Sequence, residues 1–445
     1  MKKAAMVTLT PKLRQELSPH TMAQIKAGNR ICMARITAND DKPQDDNKLL
    51  LNHSAAQELK LPISTYHIYY LDNNQIWIGP VVAVMTSAVN KNRHPHGKTG
   101  KMLRELIQYA QSRGIFVYLF GLDGIQRNLH QIRGISIINN SWQPGLFPWP
   151  DIIYNRIRLR KIEKLPQTNR LLRQINLDRR IHFFNSRFLN KREVYEALTK
   201  HPDTRSIIPD TRSFSRTNLH SMLKIHNEIF MKPNHGSIGK GIYKIKMLSP
   251  GLYSYAGTSS ALPVWKGPYT VEVLFRHLQC NAGIKREYLL QQAIKLARYK
   301  SRIFDVRSQV QKNHRGEWIL TGAAVRVAAK NKFVTHIPNG GRAEVFQQVM
   351  LRVFPSQRSR KHIDTQLAQI VSSVPLILEK ALDINLAILT MDLGIDEGGR
   401  VWVLEVNSKP SSFDEDDIRM RHLEYLCDYC IYAARQKNRK GIYEA

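Results

Sequence analysis

The chain has 445 residues with 67 lysines and arginines against 36 acids, a formal net charge of +31, and four cysteines. That length exceeds what a single hydrophobic core fills, so two or three domains are expected, and the sparse cysteines exclude a disulfide scaffold. No apolar run approaches the ~20 residues that cross a bilayer, and Met1-Lys2-Lys3-Ala4-Ala5-Met6-Val7 passes into polar sequence and Pro11 without a signal-peptide pattern; the chain is expected inside the cell.

Residues 1–90 read as a small β-rich domain of short strands rather than helices. Residues 31–36 form one strand, and residues 67–71 and 75–79 flank Asp72-Asn73-Asn74 as a hairpin, because Asn tolerates the left-handed backbone of such a turn. Residues 91–180 read as an α/β unit. After the polar stretch 90–98, apolar residues recur at helical spacing over 102–110, Gly114 stops the helix, and residues 115–120 form a buried strand. His94 and His96 lie in a lysine-rich loop and read as solvated rather than metal-bound.

Residues 228–231 and 241–245 read as two short strands with Gly236, Gly239 and Gly241 between them. Glycine lets bare backbone N–H groups approach phosphate oxygens, and Lys232 and Lys240 add positive charge. The spacing is neither a Walker A motif nor a Rossmann fingerprint. Taken alone, a glycine-rich hairpin with lysines is more often a solvated turn.

Farther on, residues 386–395 form an apolar strand carrying one acid, Asp392. Asp396-Glu397-Gly398-Gly399-Arg400 turns the chain, and residues 401–407 return with Glu405 and Asn407 on one side. Acids inside apolar strands are costly to bury unless paired or metal-bound. A few hard oxygen ligands suit Mg²⁺ shared with nucleotide phosphates; the alternative is a pair of edge charges reaching solvent. Cys427 and Cys430 form a C-x-x-C on an amphipathic helix with no second pair nearby, which reads as core packing rather than zinc or redox chemistry.

These residues, in order over 181–430, resemble the ATP-grasp superfamily and within it the YheC/YheD family of endospore coat-associated proteins. The likeness is carried by Phe183-Phe184-Asn185-Ser186, Lys191, Pro209-Asp210-Thr211, Lys232-Pro233 with the glycine loop, and residues 288–294. It continues through Phe304-Asp305-Val306-Arg307, residues 324–328, Asn339-Gly340-Gly341, Asp392, and Glu405-Val406-Asn407-Ser408-Lys409-Pro410. The resemblance implies an α/β (α+β) fold in which two subdomains within residues 181–445 clamp ATP beneath a mobile glycine loop.

It further implies that Lys191 and Lys232 contact phosphates, that Gly236, Ser237, Gly239, Lys240 and Gly241 cover them, and that Gln291, Gln292, Ala293 and Ile294 form the adenine hinge. Asp392, Glu405 and Asn407 would hold two Mg²⁺ ions, with Mn²⁺ as a substitute. Arg307 and Arg326 match catalytic positions that steady phosphate and the reacting carboxylate, and Lys409 is a weaker match of the same kind. For the two arginines a salt bridge to neighbouring strand acids is an equal alternative. The acid that many relatives place after the hinge for the ribose is missing here.

The implied reaction is attack of an unknown carboxylate on the γ-phosphoryl group, giving an acylphosphate for an amine or thiol. Its alternatives are a spore-coat structural or adhesive protein that retains ATP binding, and a phosphoryl transferase. The net charge predicts attraction to polyanions, with an acidic cell-wall or spore-coat polymer as one partner and an anionic membrane surface as another. Sequence-specific nucleic-acid recognition has no supporting motif. Arginine clusters at 156–161 and 358–362 carry part of that charge.

Overall fold

The computed structural model describes residues 4–17, 20–38, 47–72, 74–87, 95, 97–126, 131–236, 239–258, 263–282, 287–335, 340–410, 413 and 415–443. Six amino-terminal strands close into a barrel in the order Met6–Leu9, Arg30–Ala38, Met22–Ala27, Gln75–Ile78, Thr65–Asp72, Lys48–Leu51. Small side chains on alternate positions, Ala23, Ala27, Cys32 and Ala34, let so narrow a barrel close around a filled interior. The hairpin expected around Asp72 is present, with Asp72 opposite Gln75.

Two helices also lie in this region, Pro11–Glu16 and His53–Leu59, where strands alone were expected. Each is too short to show a helical period in sequence. Their signals are the caps: Thr10 Oγ1 accepts from Leu13 N at 3.3 Å and Asn52 Oδ1 from Ala55 N at 2.9 Å.

The second sheet runs Ser141–Pro148, Gln131–Ile138, Phe116–Phe120, Val81–Met85, Ile152–Asn155, His182–Phe184, with Ile125–Gln126 paired to Gln131–Ile138. Its central strand Val81–Met85 is buried throughout and runs parallel to Phe116–Phe120, joined to it by the crossover helix Gly97–Ser112. That strand falls inside the span 1–90, and His182–Phe184 falls after residue 181, so one sheet draws on all three sequence segments.

The third sheet is antiparallel, in the order Thr211–Ser213, Tyr288–Gln292, Glu228–Pro233, Tyr243–Ser249, Leu252–Gly257, Lys266–Tyr269. The fourth, also antiparallel, runs Arg342–Val345, Trp318–Val327, Arg302–Lys312, Ile388–Ile395, Val401–Asn407. One face of the fourth sheet buries Val306, Val325, Leu393 and Val403 with Ile363, Ile370 and Val374 of the long helix Gln357–Leu382. The carboxy-terminal helix Asp416–Tyr443 returns to the second sheet, where Leu426, Cys427 and Cys430 pack with Val82, Val84 and Tyr154. Both cysteines are therefore core thiols, and burial pushes Cys427 up to about 12.

Asn185 joins the second sheet to the fourth. It follows Phe184, is fully buried, and has a positive φ of 50° that Asn tolerates better than other side chains. Its Nδ2 donates to Ile388 O at 2.6 Å and to Ser408 O, its Oδ1 accepts from Ala387 N at 2.9 Å, and its backbone N donates to Asn385 O at 2.8 Å. Asn185→Ala leaves several buried backbone groups unpaired and is expected to lower stability by about 3 kcal/mol. The readout is a fall in the urea unfolding midpoint, and an unchanged midpoint would refute this joint.

Candidate functional site

The strands Ile388–Ile395 and Val401–Asn407 pair so that Asp392 stands opposite Glu405 and Thr390 opposite Asn407. Alternation then puts all four side chains on one face. On the next strand Arg307 stands opposite Asp392, and one strand farther Arg326 stands opposite Asp305. Asp392, 4 % exposed, is paired with Arg307 Nη1 at 2.9 Å and Arg326 Nη2 at 2.9 Å. Arg326 also grips Asp305 through Nε–Oδ1 at 2.8 Å and Nη2–Oδ2 at 2.5 Å, and Thr335 Oγ1 donates to the same carboxylate at 2.6 Å. Burial works against the Arg326 charge, but Asp392 and Asp305 outweigh it and raise its pKa. Both arginines thus make the strand salt bridges that the sequence allowed.

The opposing cations come from elsewhere in the fold. Asn190 Oδ1 accepts from Glu193 N at 2.9 Å while Glu193 Oε1 accepts from Asn190 N at 2.7 Å, a reciprocal cap that starts the helix Lys191–Lys200 at Lys191. Lys191 Nζ then lies 2.6 Å from Glu405 Oε1. Lys232, on Glu228–Pro233, donates to Gln291 Oε1, and Gln291 Nε2 donates to Thr211 Oγ1 at 3.2 Å. Burial and then the neighbouring Lys191 lower Lys232 to about 8, against the pull of Glu405, Asp392 and Asp305. Burial favours a neutral Glu405, yet Lys191, with help from Lys232, holds it below the ordinary carboxylate range.

Beyond Lys232 the glycine loop is tied to the same helix. Asn234 Oδ1 accepts from Arg192 N at 3.0 Å, and Asn234 Nδ2 donates to Glu287 Oε2 at 2.9 Å. Gly239 and Gly241 have φ of 68° and 72°, and a Cβ on Gly236 would sit 2.7 Å from Pro233 Cγ, so each glycine answers to the backbone course of the loop. Lys240 is exposed. Ser237, Asn339, His94 and His96 lie outside the described residues.

Gln291 is buried, while Gln292, Ala293 and Ile294 are half-buried on the connection that leaves the third sheet for the fourth. Gln292 N donates to Asp210 O at 2.8 Å, and Ala297 N donates to Ile395 O at 2.9 Å. Lys409 is engaged by a different acid: its side chain, 2 % exposed, pairs with Glu163, and burial lowers it to about 8. It is a structural cation here, engaged by an acid from a helix 246 residues earlier that no local pattern announces. Asp305 and Glu163 were not singled out from sequence; an acid in the apolar strand 302–312 was the available signal for Asp305.

The donor set fits a hard cation. Asp392, Glu405 and Asn407 offer oxygens only, and Thr390 Oγ1, beside Asp392 and opposite Asn407, is buried with no hydrogen-bond partner among the described residues. Among those residues no group of three His, Cys, Asp or Glu side chains could hold a metal, as expected for a set whose third donor is an amide.

The YheC/D like ATP-grasp family matches residues 180–433. The chain belongs to this family. Curated relatives include the endospore coat-associated protein YheD of Bacillus subtilis, 24% identical over 383 residues that cover 86% of this chain and 83% of YheD. Endospore coat-associated protein YheC of the same organism is 23% identical over 311 residues, covering 68% of this chain and 84% of YheC. Among solved structures, D-alanyl-alanine synthetase A from Vibrio cholerae aligns with a TM-score of 0.46 and 12% identity, over 80% of this chain and 98% of that one. Among the described residues no helix is long and apolar enough to cross a membrane.

The depressed Lys232 has a measurable consequence. Below about pH 8 the ammonium is charged in both folded and unfolded chains and its burial costs the fold in full. Between about 8 and the ordinary 10.5 the folded chain releases its proton first, and that cost disappears. Lys232→Met is therefore expected to raise the urea midpoint at pH 7, with a gain over the parent protein that shrinks as pH rises through this window. A gain that is the same at pH 7 and pH 10 would contradict the assignment.

Proposed function

We propose that this ATP-grasp protein is a ligase that uses Mg-ATP to convert a substrate carboxylate to an acylphosphate and passes the acyl group to an amine or thiol. The observation that carries the reading is the Lys191–Glu405 contact of 2.6 Å, with Lys232 in the same field. Cations from the helix and third sheet meet carboxylates of the fourth, and a triphosphate with its metal would exchange into these contacts. Lys191 and Lys232 bind phosphate oxygens, and the loop bearing Gly236, Gly239, Lys240 and Gly241 covers them. Gln291, Gln292, Ala293 and Ile294 line the base.

Asp392, Glu405 and Asn407 would hold Mg²⁺, or Mn²⁺ in its place, and the ion supplies charge neutralisation at the transferring phosphoryl group. Arg307 and Arg326 orient the substrate carboxylate. A carboxylate oxygen forms a bond to the γ-phosphorus as the bond to the β–γ bridging oxygen breaks, and ADP leaves. The acceptor nitrogen or sulfur then attacks the carbonyl, and phosphate leaves with the electron pair of the C–O bond while the acceptor's proton is lost to solvent. The names of the relatives support a role at the endospore coat, and the chain is proposed to be made in the cytoplasm and deposited there.

A second reading, an adhesive coat protein that binds ATP with little turnover, is favoured by the engagement of Arg307 and Arg326 with Asp392 and Asp305. Calorimetry with ATP and Mg²⁺ tests the site common to both: Asp392→Asn and Lys232→Ala should each weaken binding at least ~10-fold. Equal affinity in all three proteins sinks it. ADP release stimulated by a carboxylate substrate would decide for the ligase, and binding with no stimulated release across amino acids, dicarboxylates and wall fragments would decide for the adhesive protein.

A further inference from the structure

A cleft of about 420 Å³ opens between the helix Pro166–Leu177, residues 186–190 and the end of the helix Gln357–Leu382. Its volume is that of a ligand pocket. Some of its charges are engaged in the fold. Arg187 pairs with Glu193 at 2.7 Å, Arg160 Nη2 donates to Leu189 O at 2.7 Å while Arg160 Cζ lies 4.6 Å from the Phe188 ring centre, and Glu163 pairs with Lys409. Lys164 and Arg173 are exposed in its wall and make no ion pair among the described residues. Asn169 and Asn176, seven residues or about two turns apart on the helix Pro166–Leu177, add amide donors and acceptors. Asp383 is the acid left facing these cations.

This cleft adjoins the reaction site through its own wall. Ser408, which directly follows the ligand Asn407, donates through Oγ to Arg187 O at 2.9 Å and accepts from Leu189 N at 3.2 Å. Asn190, also in the wall, caps the helix whose first residue, Lys191, touches Glu405. His235 in the same wall belongs to the glycine loop. Burial lowers Arg160, opposed by Glu163 and then by Glu405, so the cleft lies within electrostatic reach of the carboxylates that face the lysines.

We propose that this cleft binds the carboxylate substrate, a short acidic peptide chain whose side-chain carboxylates meet Lys164 and Arg173 and whose amides meet Asn169 and Asn176. Its reacting end would extend past Asn190 toward Lys191 and Glu405. The inference rests on the ligase reading for what happens to the bound chain, not for its binding. Amide side chains interleaved with separated cations match a peptide backbone bearing carboxylates better than a run of phosphodiesters, and a net charge of +31 draws such a polyanion toward the surface.

The test is titration of tetraglutamate into the full-length protein at physiological salt, without nucleotide. Saturable binding is expected, weakened at least ~10-fold in the Lys164→Glu, Arg173→Glu double variant. The neutral pair Lys164→Gln, Arg173→Gln should give a smaller loss in the same direction. Charge reversal at two exposed lysines outside the cleft, Lys200→Glu with Lys224→Glu, should leave the affinity within twofold. Absence of saturable binding, equal losses in both charge-reversed proteins, or equally tight binding of a four-nucleotide oligothymidylate each overturns the proposal. A separate titration with Mg-ATP keeps the two ideas apart: failure to bind ATP sinks the ligase reading and leaves the tetraglutamate result standing, and the converse holds as well.

Discussion

The meeting of Lys191 and Lys232 with Asp392 and Glu405 is the interaction on which the site depends. Each of these groups would be expensive to bury alone, since charge removed from water needs a partner close by. The fold supplies the partners from separate elements. Both acids stand on adjacent strands of one sheet; one lysine opens a helix and the other lies on a second sheet. Bringing them together is therefore the same event as neutralising them. With Arg307, Arg326 and Asp305 included, four cations face three carboxylates. That balance leaves a small positive excess.

The strand Val401–Asn407 is held at its far end by a series of contacts at consecutive residues. Ser408 O accepts from Asn185, Ser408 Oγ bonds to the 187–189 segment, Lys409 is paired with Glu163, and Pro410 O accepts from Arg156 at 2.6 Å. A site is only as well placed as the elements that carry it, and here the strand is anchored within three residues of Asn407. The same contacts explain part of the basic composition. Arg156 is buried and Arg160 is bonded to Leu189 O, so the cluster at 156–161 is in part internal scaffolding rather than a surface patch for polyanions.

The four sheets are further knitted by the ends of the chain. Residues 81–85, 152–155 and 182–184 share one sheet, and the helix Asp416–Tyr443, which follows the strand Val401–Asn407 in the chain, packs back on it. His422 on that helix sits against Gln309 Nε2 at 2.9 Å, and burial holds it down at about 3, a neutral imidazole within a buried amide pair. The carboxy-terminal helix thus covers the face of the fourth sheet that also bears Arg307 and Asp392. Structure and site share one surface.

Much of the local plan was legible in the residues. The apolar strand interrupted by Asp392, the Gly-Gly turn after it, the alternate placement of Glu405 and Asn407 and the strand pair flanking the glycine loop are encoded within a few positions of one another, where side-chain period and turn chemistry act. The two short barrel helices escaped because six or seven residues hold too little periodicity. Tertiary structure alone decided which charge meets which: Lys191 with Glu405, Arg307 with Asp392, Glu163 with Lys409. Partners separated by 85 to 246 residues come together through sheet register and packing, and no short-range pattern carries that information.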